Sequence, residues 1–103
     1  MKKKSTKEDS LTIRDWGDET FGEATSIIAY AIRAQEELNE LIQAIKTDEG
    51  NDAIVAEAAD VTILLHRLVG TIGIQLSDAV DQKMAINRKR IWKTDKDGVG
   101  HHL

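Results

Sequence analysis

The chain has 103 residues with no cysteine, no proline and only four aromatic residues, which leaves room for one small domain with a thin core and excludes a multidomain machine. Hydrophobic residues make up 41% and charged residues 31%, a balance that supports folding rather than disorder. Fourteen Lys+Arg against 18 Asp+Glu give a formal charge of -4, the wrong sign for a protein whose main partner is a nucleic-acid backbone.

The chain opens on a basic stretch, Lys2-Lys3-Lys4 and Lys7, read as part of a flexible solubilising tail over residues 1–11. From there to residue 92 the apolar residues recur at helical spacing, so the expected fold is all-α. Thr12 is a candidate cap for a short helix through Ile13 and Trp16 to about Thr20. A long helix is predicted over 26–46, capped by Thr25, because Ile27, Ala31, Ala34, Leu38, Leu41 and Ile45 step by four and three. Thr47-Asp48-Glu49-Gly50-Asn51 then reads as a turn. Asp52 caps a second long helix with the stripe Ile54, Ala58, Val61, Leu65, Leu68 and Ile72, ending near Gly70 or Gly73. A last helix opens with Ser77 as cap, carries Val80, Met84, Asn87 and Ile91 along one face, and stops near Trp92. Residues 93–103 have no periodicity and read as a flexible C-terminal tail.

Without cysteine there are no disulfides, thiolate metal ligands or thiol nucleophiles, which suits a reducing compartment. The longest apolar runs fall far short of the roughly 20 residues that span a bilayer, so no membrane partner and a cytoplasmic location are expected. A helical domain this short buries only about 60–65% of its unfolded surface, and a homo-oligomer is expected to complete the core.

Chemistry is concentrated in the acids. Glu37 and Glu40 lie three residues apart on the first long helix, and Glu57 and Asp60 lie three apart on the second. Each acid precedes a stripe position by one residue, which rotates it about 100° from the stripe's centre, onto the flank of the seam. If the two helices form an antiparallel hairpin, the four carboxylates meet, with Glu36 as a fifth nearby. Such a cluster is costly through repulsion and desolvation unless cations neutralise it. Oxygen-only ligands select Mg²⁺ or Mn²⁺, and Mg²⁺ held by carboxylates typically works with substrate phosphates. Of the remaining candidates, Asn87 is a polar group on an apolar stripe, Trp16 and Phe21 are either base-stacking groups or core anchors, and His66 reads as structural.

Glu37-Leu38-Asn39-Glu40, sixteen residues, then Glu57-Ala58-Ala59-Asp60 resembles the ExxE…ExxD signature of the MazG-like, all-α nucleoside triphosphate pyrophosphohydrolases. Lys83-Met84-Ala85-Ile86-Asn87-Arg88-Lys89-Arg90 is similar to that family's KxxxNxxR segment, and Asp15-Trp16-Gly17-Asp18-Glu19-Thr20-Phe21-Gly22 resembles the aromatic leading segment of its phage-type and small bacterial members. The likeness covers roughly residues 12–92, the expected catalytic domain.

The resemblance implies a helical bundle completed as a dimer or dimer of dimers, and metal-dependent cleavage between the α- and β-phosphates of a nucleoside triphosphate. Glu37, Glu40, Glu57 and Asp60 would hold the Mg²⁺ or Mn²⁺ ions, with Glu36 binding a further ion or orienting the attacking water. Lys83, Asn87 and Arg90 would contact phosphate or sugar, while Trp16 and Phe21 stay open between base-stacking groups and core anchors. Phage-type relatives tilt the expected substrate towards a purine deoxynucleotide such as dGTP, in the host cytoplasm if the gene is viral. The alternatives are a phosphoribosyl-ATP pyrophosphohydrolase, a dUTPase-like enzyme, or a non-catalytic acidic helical module.

Overall fold

A computed structural model describes residues 7–94 and 98–102. The Lys2-Lys3-Lys4 stretch lies outside them, as do residues 95–97 and 103. Four helices follow one another among the described residues: α1 (Ser10–Phe21), α2 (Ile28–Lys46), α3 (Asn51–Thr71) and α4 (Leu76–Lys89). A two-stranded antiparallel ribbon closes the order, β1 (Trp92–Thr94) pairing with β2 (Gly100–His102) in the register Trp92 to His102. The expectation of a C-terminal tail without regular structure therefore gives way to a hairpin. No described helix is long and apolar enough to cross a membrane.

The helix starts differ from the sequence reading, each for a local reason. Asp9, rather than Thr12, caps α1: its carboxylate accepts the Thr12 N–H at 2.8 Å while the Thr12 hydroxyl accepts the Asp9 N–H at 2.8 Å. Thr12 is thus the reciprocal partner of a capping box. The tail expected to run to residue 11 ends before Ser10, which is fully buried. α2 has no side-chain cap hydrogen bond, so Thr25 does not serve there. Gly50, at φ 99°, occupies the cap of α3 and moves Asp52 into its first turn. Gln75, not Ser77, precedes α4, whose Leu76 N–H is bonded to Ser10 Oγ at 2.8 Å.

α3 is the central element, packed against α2 on one side and α1 on another. The α1 crossing is close because Gly70 has no side chain: a Cβ there would overlap the Ser10 backbone. Ser10 ties three helices together. Its N–H donates to Gln75 Oε1 at 2.9 Å, and its hydroxyl pairs with His66 Nδ1 at 2.7 Å while accepting from Leu76. That places His66 in a structural role.

α2 does not bury the whole of its apolar stripe against α3. It buries Ala34 of that stripe together with Tyr30, Glu37 and Ala44, the last three each lying one residue ahead of a stripe position. Ile27, Leu38 and Ile45 of that stripe are exposed. Ala31, Ile32, Ala34, Gln35 and Leu38 instead form one wall of an open apolar groove whose other wall is Val61 and Leu65 of α3.

Candidate metal centre

The α2–α3 pair is a hairpin through the four-residue turn 47–50, with Asp48 at φ 52° and Gly50 at φ 99° reversing the chain. Ala34 faces Val61 and Leu65 across the groove, while Glu37 and Glu40 meet Glu57. This descending order is the antiparallel pairing that the carboxylate cluster requires.

One carboxylate oxygen from each of Glu37, Glu40 and Glu57 lies within 4.8 Å of the others. Glu37 is buried, Glu57 partly buried and Glu40 exposed, so the cluster runs from the helix seam out to solvent. Arg33, one turn before Glu37, holds it through an ion pair of 2.5 Å. Burial pushes the Glu37 carboxyl above the usual value of 4.5, helped by its hydrogen bond with Glu40 and by the charges of Glu40 and Asp60, with Arg33 opposing. Glu57 Oε2 is buried without a hydrogen-bond partner. Three converging oxygen donors, one of them orphaned and one disfavouring its own charge, form a donor set that a hard divalent cation fits. Beside it Asn39, Glu40, Gln43, Glu49 and Glu57 line an open depression of about 340 Å³.

The other predicted residues divide into near and far. Asp60 is exposed and close enough for its charge to act on Glu37, without joining the tightest three. Glu36 is drawn to Arg33 at 3.0 Å on the exposed side of α2 and does not converge with them. Trp16 and Phe21 form an edge-to-face pair with centroids 5.5 Å apart, and both are exposed, at 56% and 70%. Trp16 shares a shallow pocket with Ile63, which lies three residues, or about 4.5 Å of helix rise, beyond Asp60.

Lys83, Asn87 and Arg90 stand apart. α4 has no buried residue, and among the described residues the Lys83 and Asn87 side chains make no hydrogen bond or ion pair with the acids. Asn87 Oδ1 is buried without a hydrogen-bond partner among the described residues. The Asn87 carbonyl accepts the Trp92 indole N–H at 2.7 Å.

Sequence reading missed Arg33, Asn39 and Gln43 around the acids, and Arg67 behind the aromatic pair; Tyr30, undecided between a base-stacking group and a core anchor, is buried against Arg67. Arg33 is legible in retrospect, because an Arg four residues before a Glu on one helix face is an ion-pair spacing.

The chain is similar to two phage proteins that bear the same name, dATP/dGTP diphosphohydrolase. It is 38% identical to that of Salmonella phage PMBT28 over 91 residues, covering 88% of this chain and 29% of the relative. It is 35% identical to that of cyanophage S-2L over 66 residues, covering 64% of this chain and 61% of the relative. The chain thus spans less than two thirds of either relative's length. Neither a protein-family profile nor a solved structure matches it.

Proposed function

We propose that the chain is a metal-dependent nucleoside triphosphate pyrophosphohydrolase of the MazG-like type, acting on purine deoxynucleoside triphosphates such as dGTP or dATP and yielding the monophosphate and pyrophosphate. The observation that carries this reading is the convergence of the Glu37, Glu40 and Glu57 carboxylates at the α2–α3 seam. The names of the two phage relatives support the substrate class.

Hydrolysis adds one water across the α–β anhydride: a bond forms from the water oxygen to phosphorus, the bridging P–O bond breaks, and the released proton passes to solvent or a carboxylate. Glu37, Glu40 and Glu57, with Asp60 beside them, would hold Mg²⁺ or Mn²⁺, which would supply charge neutralisation of the triphosphate, polarisation of the attacked phosphorus and a lowered pKa of water. Arg33 keeps Glu37 aimed into the cluster. Glu36, paired with Arg33 on the exposed side of α2, would reach the water only by turning from that ion pair. Lys83, Asn87 and Arg90 contribute donors for phosphate and sugar, and Trp16 and Phe21 receive the base.

The working form is a homo-oligomer in the cytoplasm. The chain exposes 8293 Å², whereas a compact monomer of 11.4 kDa exposes about 5,800 Å². The groove between Ala31, Leu38, Val61 and Leu65 is the apolar face that a second copy covers.

The decisive experiment separates products by ion exchange after incubation with each NTP and dNTP, in Mg²⁺, Mn²⁺ or chelator. Metal-dependent formation of monophosphate and pyrophosphate, lost in Glu40→Ala, is the expected result. Release of orthophosphate and diphosphate overturns the α–β cleavage, and no turnover of any nucleotide leaves the acidic helical module.

A further inference from the structure

Arg67 is the largest charged investment in the fold that the proposed chemistry leaves unused. It is 9% exposed, on α3, and all its contacts run to the end of α1 and the start of α2. Its Nη2 donates to the Gly22 carbonyl at 2.9 Å and to Asp18 Oδ1 at 3.2 Å. Its guanidinium carbon lies 4.5 Å from the centroid of the Tyr30 ring and 5.7 Å from that of Phe21. Gly17 makes room for it, since a Cβ at Gly17 would overlap the Arg67 side chain. Its Nε is buried without a partner.

A buried ion pair with an unsatisfied donor is a poor way to gain stability, because apolar residues of similar volume often serve as well or better. What Arg67 does provide is geometry. It fixes Phe21, a large apolar side chain that stays 70% exposed, and through the edge-to-face contact it fixes Trp16 as well. The two exposed rings meet at an interplanar angle of 88°, so they form a right-angled corner in which a base can stack on one ring face and abut the other ring. Arg67 lies seven residues beyond Asp60 and ten beyond Glu57 on α3, about 10 and 15 Å of helix rise, so the aromatic pair and the acids are set along one helix.

We infer that Arg67 is a positioning residue that holds the Trp16–Phe21 pair as a stacking platform for the base, setting affinity for the nucleoside half of the substrate and leaving the phosphate half alone. This rests on the proposed nucleotide hydrolysis. Stacking on an aromatic side chain is worth about 5- to 150-fold in affinity, and loss of the platform's order is expected to cost about 10-fold.

The test compares Arg67→Met and Gly17→Ala with wild type, reading KM and kcat for dGTP and dATP and the inhibition constant of inorganic pyrophosphate, which has no base. Gly17→Ala removes no functional group and favours the helix, yet displaces the Arg67 side chain, so it decides the matter if Arg67→Met fails to fold. The expected result in both variants is a KM raised about 10-fold, with kcat and pyrophosphate inhibition unchanged. A parallel rise of KM and the pyrophosphate constant, a fall in kcat alone, or wild-type kinetics in a folded variant overturns the role of Arg67 while the hydrolase stands. A wild-type protein that turns over no nucleotide overturns both.

Discussion

Asp9 and Glu57 are acids whose energetic roles have opposite signs in the metal-free protein. The Thr12 backbone N–H, the largest influence on Asp9, holds its carboxyl below the usual 3.8. A carboxylate with a depressed folded-state value contributes stability that is present above the unfolded value and lost as pH falls through the folded one. Asp9→Asn keeps a capping side chain without that charge. Wild type is therefore expected to be the more stable at pH 7, with the gap to Asp9→Asn closing as pH drops below about 3.8, as followed by thermal melts across pH. Glu57 places an unpaired buried oxygen beside two other carboxylates, a cost that the proposed cation would relieve. Glu57→Gln is expected to melt higher than wild type in chelator and to lose the response to Mn²⁺. At 100 times its Kd a bound ion adds about 2.7 kcal/mol, which for a domain of this size raises Tm by on the order of 10 °C. Calorimetry with and without Mn²⁺ reads both effects; a Mn²⁺ response that survives Glu57→Gln removes Glu57 from the metal site.

At the scale of elements, the packing of α1 on α3 depends on contacts that link distant parts of the chain. Ser10→Ala leaves the Leu76 N–H and His66 without their buried partner, and a buried group so abandoned costs about 1–3 kcal/mol. Gly70→Ala forces a methyl into the Ser10 backbone, an overpacking that typically costs about 1–3 kcal/mol. Urea denaturation is expected to show both losses, with the Gly70→Ala loss partly offset by the better helix propensity of alanine. These contacts also explain which parts of the fold the sequence reading reached. The four helices were legible because their apolar spacing is local, and the Glu37–Glu57 meeting was legible because matched offsets survive antiparallel pairing. The start of α4 was not, since its first N–H is satisfied by a serine 66 residues earlier. The face that α2 turns to α3 was not legible either. Periodicity identifies an apolar stripe without saying which partner covers it, and of that stripe α2 buries Ala34 while Tyr30, Glu37 and Ala44 beside it are buried as well. Arg67 was passed over because a lone cation within an apolar helix carries no spacing signal until Asp18, Gly22 and Tyr30 are brought to it.

At the scale of the whole molecule, the apolar residues left exposed have a consequence for assembly. Leu38, Ile42, Ile45 and Leu65 are exposed together with Val80, Met84 and Ile86 of α4, apolar surface that adds to what so short a chain already leaves uncovered. Several exposed apolar faces on different helices mean that association covers more than the groove alone, which fits either a dimer with an extensive interface or a dimer of dimers. Light scattering coupled to gel filtration is expected to give a mass of two or four chains, and Tm is expected to rise with protein concentration as mass action requires. Leu38→Asp places a charge in the groove wall beside Val61 and Leu65, one residue from Glu37 on the adjoining face. It is expected to shift the mass towards a single chain and to lower Tm. It also separates two origins of activity: if the basic face of α4 acts on the acids only across subunits, the monomeric variant keeps its Mn²⁺-dependent stabilisation and loses turnover. If both survive in the monomer, Lys83 and Asn87 must reach the substrate from within their own chain, which would require α4 to close onto α3 beyond the docking of its first turn.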